Sequence, residues 1–212
     1  MSQPGSPLAQ ILLVLHAAIL IGALFWLLPG LVGEFGVIGG ILAGLGVSWI
    51  GFCLPVIMLR VWPQRSGQLF SERLAWRHWW VPLLLLVQVV LVSTVSVMPH
   101  TAILTSEGAL LGAMISLVHA PLHDAAWRGG FLVVFANRPR LGLVLSWLLA
   151  SAATLPFALL FSHAPASFAG IVVLNALWQW LVWRTGSIFW VGMAHVLSST
   201  LVLWVLLNAH GV

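Results

Sequence analysis

Residues 107–136 read EGALLGAMISLVHAPLHDAAWRGGFLVVFA, an apolar run that is long enough to cross a lipid bilayer. A transmembrane helix needs about 20 predominantly apolar residues. The second half of this run nevertheless contains His, Asp and Arg side chains. An ionisable group in the hydrocarbon region costs at least about 2.5 kcal/mol on insertion scales, so it requires a partner or a function. The stretch therefore predicts a membrane-spanning helix that carries a polar site.

The rest of the chain has the same apolar character. Of its 212 residues, 61% are hydrophobic, 6% are charged and none is Lys. A soluble domain carries about 25% charged residues, so this composition excludes a soluble enzyme, a secreted disulfide scaffold and a disordered tail. The net charge of +4 comes from eight scattered Arg rather than from a basic face. The expected partner is thus the lipid bilayer and not a nucleic acid.

Seven apolar runs predict an all-α, polytopic transmembrane helix bundle of about seven spans. They are residues 8–29, 35–60, 81–98, 107–136, 141–162, 167–183 and 187–208. If the N-terminus is cytoplasmic, seven of the eight Arg lie in cytoplasmic loops, as the positive-inside rule requires.

The spans divide the chain into two parts. Residues 1–106 are expected to form N-terminal spans, in which the basic and aromatic segment 64–80 lies at the inner headgroup level. Residues 107–212 are expected to form the functional core. The absence of Lys suggests a GC-rich genome and hence a bacterial inner membrane.

Ionisable and polar side chains concentrate in the last four spans. His119 and His123 stand four residues apart on one helical stripe, and Asp124 and Arg128 form a second such pair on the neighbouring stripe. Pro121 removes a backbone hydrogen bond beside them and should bend the helix. The later spans add His163, Asn175, Gln179, His195 and Ser199. Groups of this kind on several helices are expected to converge on one site.

The residue types limit the chemistry of such a site. The chain has no HExxH, GxGxxG or P-loop motif, and the polar set does not indicate a Ser or Cys nucleophile with its base. Three kinds of site remain open. They are a water-activating carboxylate and His set, a metal site of three His and one Asp, and a redox-cofactor or pigment ligand set.

Three motifs in this half of the chain resemble the CAAX-protease and bacteriocin-processing family (CPBP, or ABI) of intramembrane endopeptidases. The family motif Glu-Glu-x-x-x-Arg corresponds to HDAAWRG at residues 123–129, and FxxxH corresponds to LLFSH at 159–163. The motif HxxxN corresponds to HVLSS at 195–199, after the RTGSIFW turn at 184–190. The resemblance covers residues 107–208 and implies a peptidase that activates water with Glu and His and holds the oxyanion with His or Asn.

The chain departs from the family pattern at four positions. The two Glu are replaced by His123 and Asp124, the Phe of the second motif by Leu159, and the final Asn by Ser199. The catalytic residues that the resemblance implies are therefore His123, Asp124, Arg128, His163, His195 and Ser199.

These departures leave three functions open. Asp124 activates water in an endopeptidase that acts on a hydrophobic or lipidated peptide, with Arg128 ordering its carboxylate. Alternatively, a divalent metal such as zinc supplies the reacting water, bound by His123, Asp124, His163 and His195. In the third case the chain is an inactive family member that binds a peptide, a lipid or a partner membrane protein.

Overall fold

The computed structural model describes residues 5–63, 71, 78–94, 105–160 and 164–209, and every regular element in these residues is helical. The helices are α1 (Pro7–Val61), α2 (Trp80–Val92), α3 (Ser106–Val134), α4 (Pro139–Ala158), α5 (Ala164–Thr185) and α6 (Phe189–Ala209). The prediction of an all-α membrane helix bundle is confirmed. By length and composition, α1, α3, α4 and α6 qualify as membrane spans. The count of seven spans stays a prediction, and most of segment 64–80 lies outside the described residues.

The α1 element is a hairpin of two antiparallel arms, which correspond to the first two predicted spans. The chain leaves helical geometry at Gly36, whose φ is +72°. On either side of this turn the arms approach each other, since a Cβ on Gly44 would lie 2.9 Å from the Leu28 side chain. Farther along, His16 Nε2 donates a hydrogen bond to the Gly51 carbonyl. Positive φ is unfavourable for residues that have a Cβ, so glycine permits the reversal.

Replacing Gly36 by Ala should lower the free energy of unfolding by about 1–3 kcal/mol, because a φ of +72° with a ψ of 175° is adopted essentially by glycine alone. The space around Gly36 is open, so this effect comes from the backbone alone. The matched control is Gly33→Ala, which also places its Cβ in open space but keeps helical geometry. It should be neutral or stabilising by up to about 1 kcal/mol. Unfolding in mixed detergent micelles measures the free energy of unfolding of both variants. Equal changes in the two variants would contradict a positive-φ turn at Gly36.

Helix α3 lies at the centre of the bundle, between two apolar clusters. Trp127 and Phe131 pack on one side with residues of α1 and α4. Ala125 and Val133 pack on the other side with residues of α2, α5 and α6. A Cβ on Gly112 would lie only 3.2 Å from a backbone oxygen of α6, so this glycine lets α3 and α6 approach closely. The polar residues of α3 are therefore enclosed by other helices.

Asp124 and Arg128 of α3 lie in a wider helical turn. Residues Asp124–Gly130 form a π-helix, and all seven are buried. It follows shortly after Pro121, which provides no backbone N–H to the helix. Short π-helical stretches occur frequently at functional sites. The bend predicted at Pro121 stays a prediction, and the change of helical pitch begins three residues later, at Asp124.

Candidate active site

Asp124 is the centre of a buried polar cluster between α3 and α6. Its side chain is fully buried, and its Oδ1 accepts hydrogen bonds from Arg128 Nη1 and from His195 Nδ1, the latter at 2.9 Å. The Nδ1 atom of His123 lies 3.5 Å from the same oxygen. The predicted Asp–Arg pair is therefore formed, and two of the predicted histidines join it.

Arg128 connects this cluster to two further helices. Its Nη2 donates to Asn175 Oδ1 of α5 at 2.7 Å, and Asn175 Nδ2 donates to Ser151 Oγ of α4 at 3.4 Å. The guanidinium carbon lies 5.1 Å from the ring centroid of Trp178, which is cation–π geometry. Arg128 itself is only 1% exposed. Because a buried charge needs a counterion, the pairing with Asp124 is what makes both charges tolerable here.

Three imidazole rings lie in mutual contact within the cluster. The ring centroids are 5.3 Å apart for His119 and His123, 5.2 Å apart for His123 and His195, and 5.6 Å apart for His119 and His195. The first two rings share one stripe of α3, as their spacing predicted, and the third comes from α6. His119 is half-buried, whereas the other two are buried. The cluster is thus closest to the surface at His119.

The Trp178 ring packs against His195 and connects it to a hydrogen-bond network. The ring centroids of Trp178 and His195 are 4.6 Å apart. Trp178 Nε1 donates to Gln88 Oε1 at 3.2 Å, and the Gln88 amide donates to Ser198 Oγ at 2.8 Å. These bonds join α5, α2 and α6. The position of His195 is therefore fixed by a network that extends beyond the cluster.

Three buried polar atoms of the cluster have no hydrogen-bond partner within the described part of the chain. They are Asp124 Oδ2, His123 Nε2 and Arg128 Nε. Opposite the carboxylate stands Gly192 of α6, on which a Cβ would lie 3.6 Å from Oδ2. An unsatisfied buried polar atom is costly, and such atoms in native proteins call for a water, an ion or a ligand. The cluster therefore has free capacity to bind a polar group.

The structure brings together four of the six predicted catalytic residues, namely His123, Asp124, Arg128 and His195. The Ser199 hydroxyl donates to the His195 backbone carbonyl at 2.6 Å within α6, and a catalytic role for Ser199 stays a prediction. The position of His163 lies outside the described residues, and so does most of the second motif.

Several residues that build the site were not among the predicted catalytic residues. His119 and Asn175 were among the polar residues expected to converge on one site, but they were given no catalytic role. Trp49, whose Nε1 donates to His119 Nδ1 at 3.1 Å, and Trp178 gave no signal in the sequence. A tryptophan in a membrane protein ordinarily packs or anchors at the interface.

A divalent metal fits this donor set by distance but not by charge. His123, Asp124 and His195 each offer one ligand atom, and these atoms lie within 4.8 Å of one another. Three protein ligands and an open position are typical of catalytic zinc. However, Arg128 already neutralises Asp124. The other described carboxylates are exposed, Glu34 near the hairpin turn of α1 and Glu107 in the first turn of α3. A second cation would therefore enter a site without spare negative charge.

Residues 105–201 match the family model described as Type II CAAX prenyl endopeptidase Rce1-like. The matched segment is a little under half of the chain and contains every member of the cluster on α3, α4, α5 and α6. No curated protein and no solved structure matches the chain. The family match confirms the resemblance that the three motifs predicted: residues 105–201 of this integral membrane protein carry a domain similar to the CAAX prenyl endopeptidases.

Proposed function

We propose that the chain is an intramembrane endopeptidase in which His195, oriented by Asp124, activates water. The observation that carries this proposal is the 2.9 Å contact between His195 Nδ1 and Asp124 Oδ1. A carboxylate only accepts hydrogen bonds, so Nδ1 of the neutral imidazole carries the proton. Its Nε2 is then the unprotonated nitrogen, which is the state that a general base requires.

The sequence had suggested that Asp124 itself takes the proton from water. In the proposed arrangement Asp124 instead orients the base, His195. Its Oδ1 is shared by Arg128 and His195. When His195 gains a proton, the carboxylate stabilises the imidazolium, as the Asp of a serine-protease triad does. Arg128 fixes the carboxylate and balances its charge, so the resting cluster is neutral when its histidines are neutral.

The proposed reaction is hydrolysis of one amide bond. His195 Nε2 takes a proton from water as the water oxygen bonds to the amide carbonyl carbon, and the carbonyl oxygen becomes an oxyanion. The protonated His195 then gives its proton to the amide nitrogen while the C–N bond breaks. The products are a carboxylic acid and an amine, and the enzyme returns to its starting state.

The proposed substrate is a hydrophobic or lipidated peptide. The family to which residues 105–201 are similar is described as prenyl endopeptidases. In this chain the cluster is buried among membrane helices, and beside His119 the residues Leu117 and Val118 are exposed on the apolar surface of α3. An apolar peptide in a bilayer, for which we propose a bacterial inner membrane, meets that surface without leaving the lipid.

The test is hydrolysis of a fluorogenic farnesylated peptide by the full chain in proteoliposomes. We expect cleavage by the native chain, unchanged by a metal chelator, and a loss of about 10²–10⁴-fold in His195→Ala, the usual contribution of a general base. His16→Ala is the matched control, since His16 bonds the Gly51 carbonyl on the second arm of α1 and lies outside the cluster. Absence of cleavage by the native chain would contradict the proposal and favour an inactive partner-binding member.

A bound divalent metal is the second candidate, favoured by the three donor atoms of His123, Asp124 and His195 within 4.8 Å. Such a metal would supply the reacting water. Elemental analysis by plasma mass spectrometry distinguishes the two. A near-stoichiometric metal that His123→Ala loses would support the metal site and remove His195 from the role of base, whereas the charge of Arg128 leads us to expect none.

A further inference from the structure

We propose that His119 is the hydrogen-bond donor that stabilises the oxyanion, and that Trp49 sets it in the donor state. This inference rests on the hydrolytic function proposed above and assigns a role to a residue that lay outside the motifs and the predicted catalytic set. It follows from the partners of the three imidazole rings, considered one ring at a time.

The partner of His119 fixes its tautomer. Trp49 Nε1 donates to His119 Nδ1 at 3.1 Å. An indole nitrogen can only donate, so Nδ1 of His119 must be the acceptor. The single proton of the neutral ring is therefore on Nε2, and this atom is a donor.

His195 is held in the opposite tautomer. Its Nδ1 faces the Asp124 carboxylate, which can only accept, so its Nε2 is an acceptor. The rings of His119 and His195 lie edge to face, with centroids 5.6 Å apart and planes at 82°. Two neighbouring rings thus present complementary functions, one a base and one a donor, as a site for attack of water on a carbonyl requires.

Most other donors near the cluster are committed elsewhere. The two that have no partner among the described residues, Arg128 Nε and Trp127 Nε1, belong to side chains that are at most 1% exposed. The Ser199 hydroxyl donates to the His195 carbonyl, and the two Nη atoms of Arg128 donate to Asp124 and Asn175. The tautomer of His123 is not fixed by its neighbours. Its Nδ1 lies 3.4 Å from a donor, Arg128 Nη1, and 3.5 Å from an acceptor, Asp124 Oδ1. His119 is therefore the ring whose donor is defined and uncommitted.

The position of His119 also suits contact with a substrate. It is half-buried, whereas His123, Asp124 and Arg128 are buried. A peptide that approaches from the α3 surface meets His119 before it meets the base. A preorganised donor at a developing oxyanion is typically responsible for about 10²–10³-fold in kcat.

The first experiment compares variants of His119 and Trp49 in the proteoliposome assay. His119→Leu should lose about 10²-fold in kcat with little change in KM, and His119→Gln, which keeps an N–H donor, should retain part of that rate. Trp49→Phe keeps an aromatic ring but removes the N–H, so it should lower kcat by less than His119→Leu does. Trp147→Phe is the matched control, because Trp147 Nε1 donates to the Val172 carbonyl at 2.9 Å, away from the cluster.

The second experiment measures the tautomers themselves by NMR of the chain labelled with ¹⁵N-histidine. We expect an Nε2–H proton on His119, an Nδ1–H proton on His195, and loss of the His119 preference in Trp49→Phe but not in Trp147→Phe. An Nδ1–H tautomer at His119 overturns the inference. Native-like kcat in His119→Leu overturns it too, while the proposed function stands. A native chain that cleaves nothing overturns both.

Discussion

Asp124→Asn is expected to lower kcat by about 10⁴-fold, the loss seen when the triad Asp of a serine protease is changed in the same way. The amide can donate to His195 Nδ1, which would move the imidazole proton to Nε2 and abolish the base. It also removes the negative charge that stabilises the imidazolium. Single-turnover hydrolysis of the farnesylated peptide measures the loss without interference from product release.

Two further variants separate this effect from a loss of fold. Glu107→Gln removes an exposed carboxylate in the first turn of α3 and should keep the native rate. Asp124→Glu keeps an acceptor but displaces it, and a misplacement of about 1 Å costs roughly 10²-fold in rate. Its kcat should therefore lie between that of the native chain and that of Asp124→Asn. A native rate in folded Asp124→Asn would show that the carboxylate does not orient the base.

The local part of the site could be predicted from the sequence because it depends on helical spacing alone. Residues four apart on a helix face the same side, which placed Arg128 beside Asp124 and His119 beside His123. The apolar runs likewise predicted the helices of the bundle. These features need no knowledge of which helices are neighbours.

The long-range part of the site could not be predicted in this way. Trp49 and His119 are joined by a hydrogen bond across 70 positions of sequence, and Gln88 and Trp178 across 90. Such pairs depend on which face of each helix turns towards which neighbour, and helical periodicity does not specify this in a chain that is apolar on every face. The π-helix at Asp124–Gly130 adds to the difficulty, since it changes the angular spacing of residues within and beyond it.

The Ser199 hydroxyl forms its hydrogen bond within its own helix rather than with the cluster. The motif placed a hydrogen-bonding side chain at this position, and the spacing put it one turn beyond His195. A short hydroxyl in a helix can donate back to the carbonyl four residues earlier, and Ser199 does so. Because its hydroxyl is bonded within α6, Ser199 offers no donor to the cluster in this structure.

Arg128→Met is expected to lower the free energy of unfolding by about 3–5 kcal/mol, the usual cost of leaving one member of a buried ion pair alone. Asp124 is fully buried, and Arg128 is the cation that neutralises it. Asn175 would lose its donor as well. Unfolding in mixed detergent micelles measures the change, with Arg138→Met as the control because Arg138 is exposed in the turn before α4.

The double variant Arg128→Met, Asp124→Leu then shows why the pair is present. Replacement of both members of a buried ion pair by apolar residues is often neutral or stabilising by about 1–4 kcal/mol. We therefore expect the double variant to be more stable than Arg128→Met alone and yet unable to hydrolyse the peptide. That combination would mean that the ion pair serves to orient His195 and contributes little to the fold. A double variant as unstable as the single one would instead make the pair a structural element of the bundle.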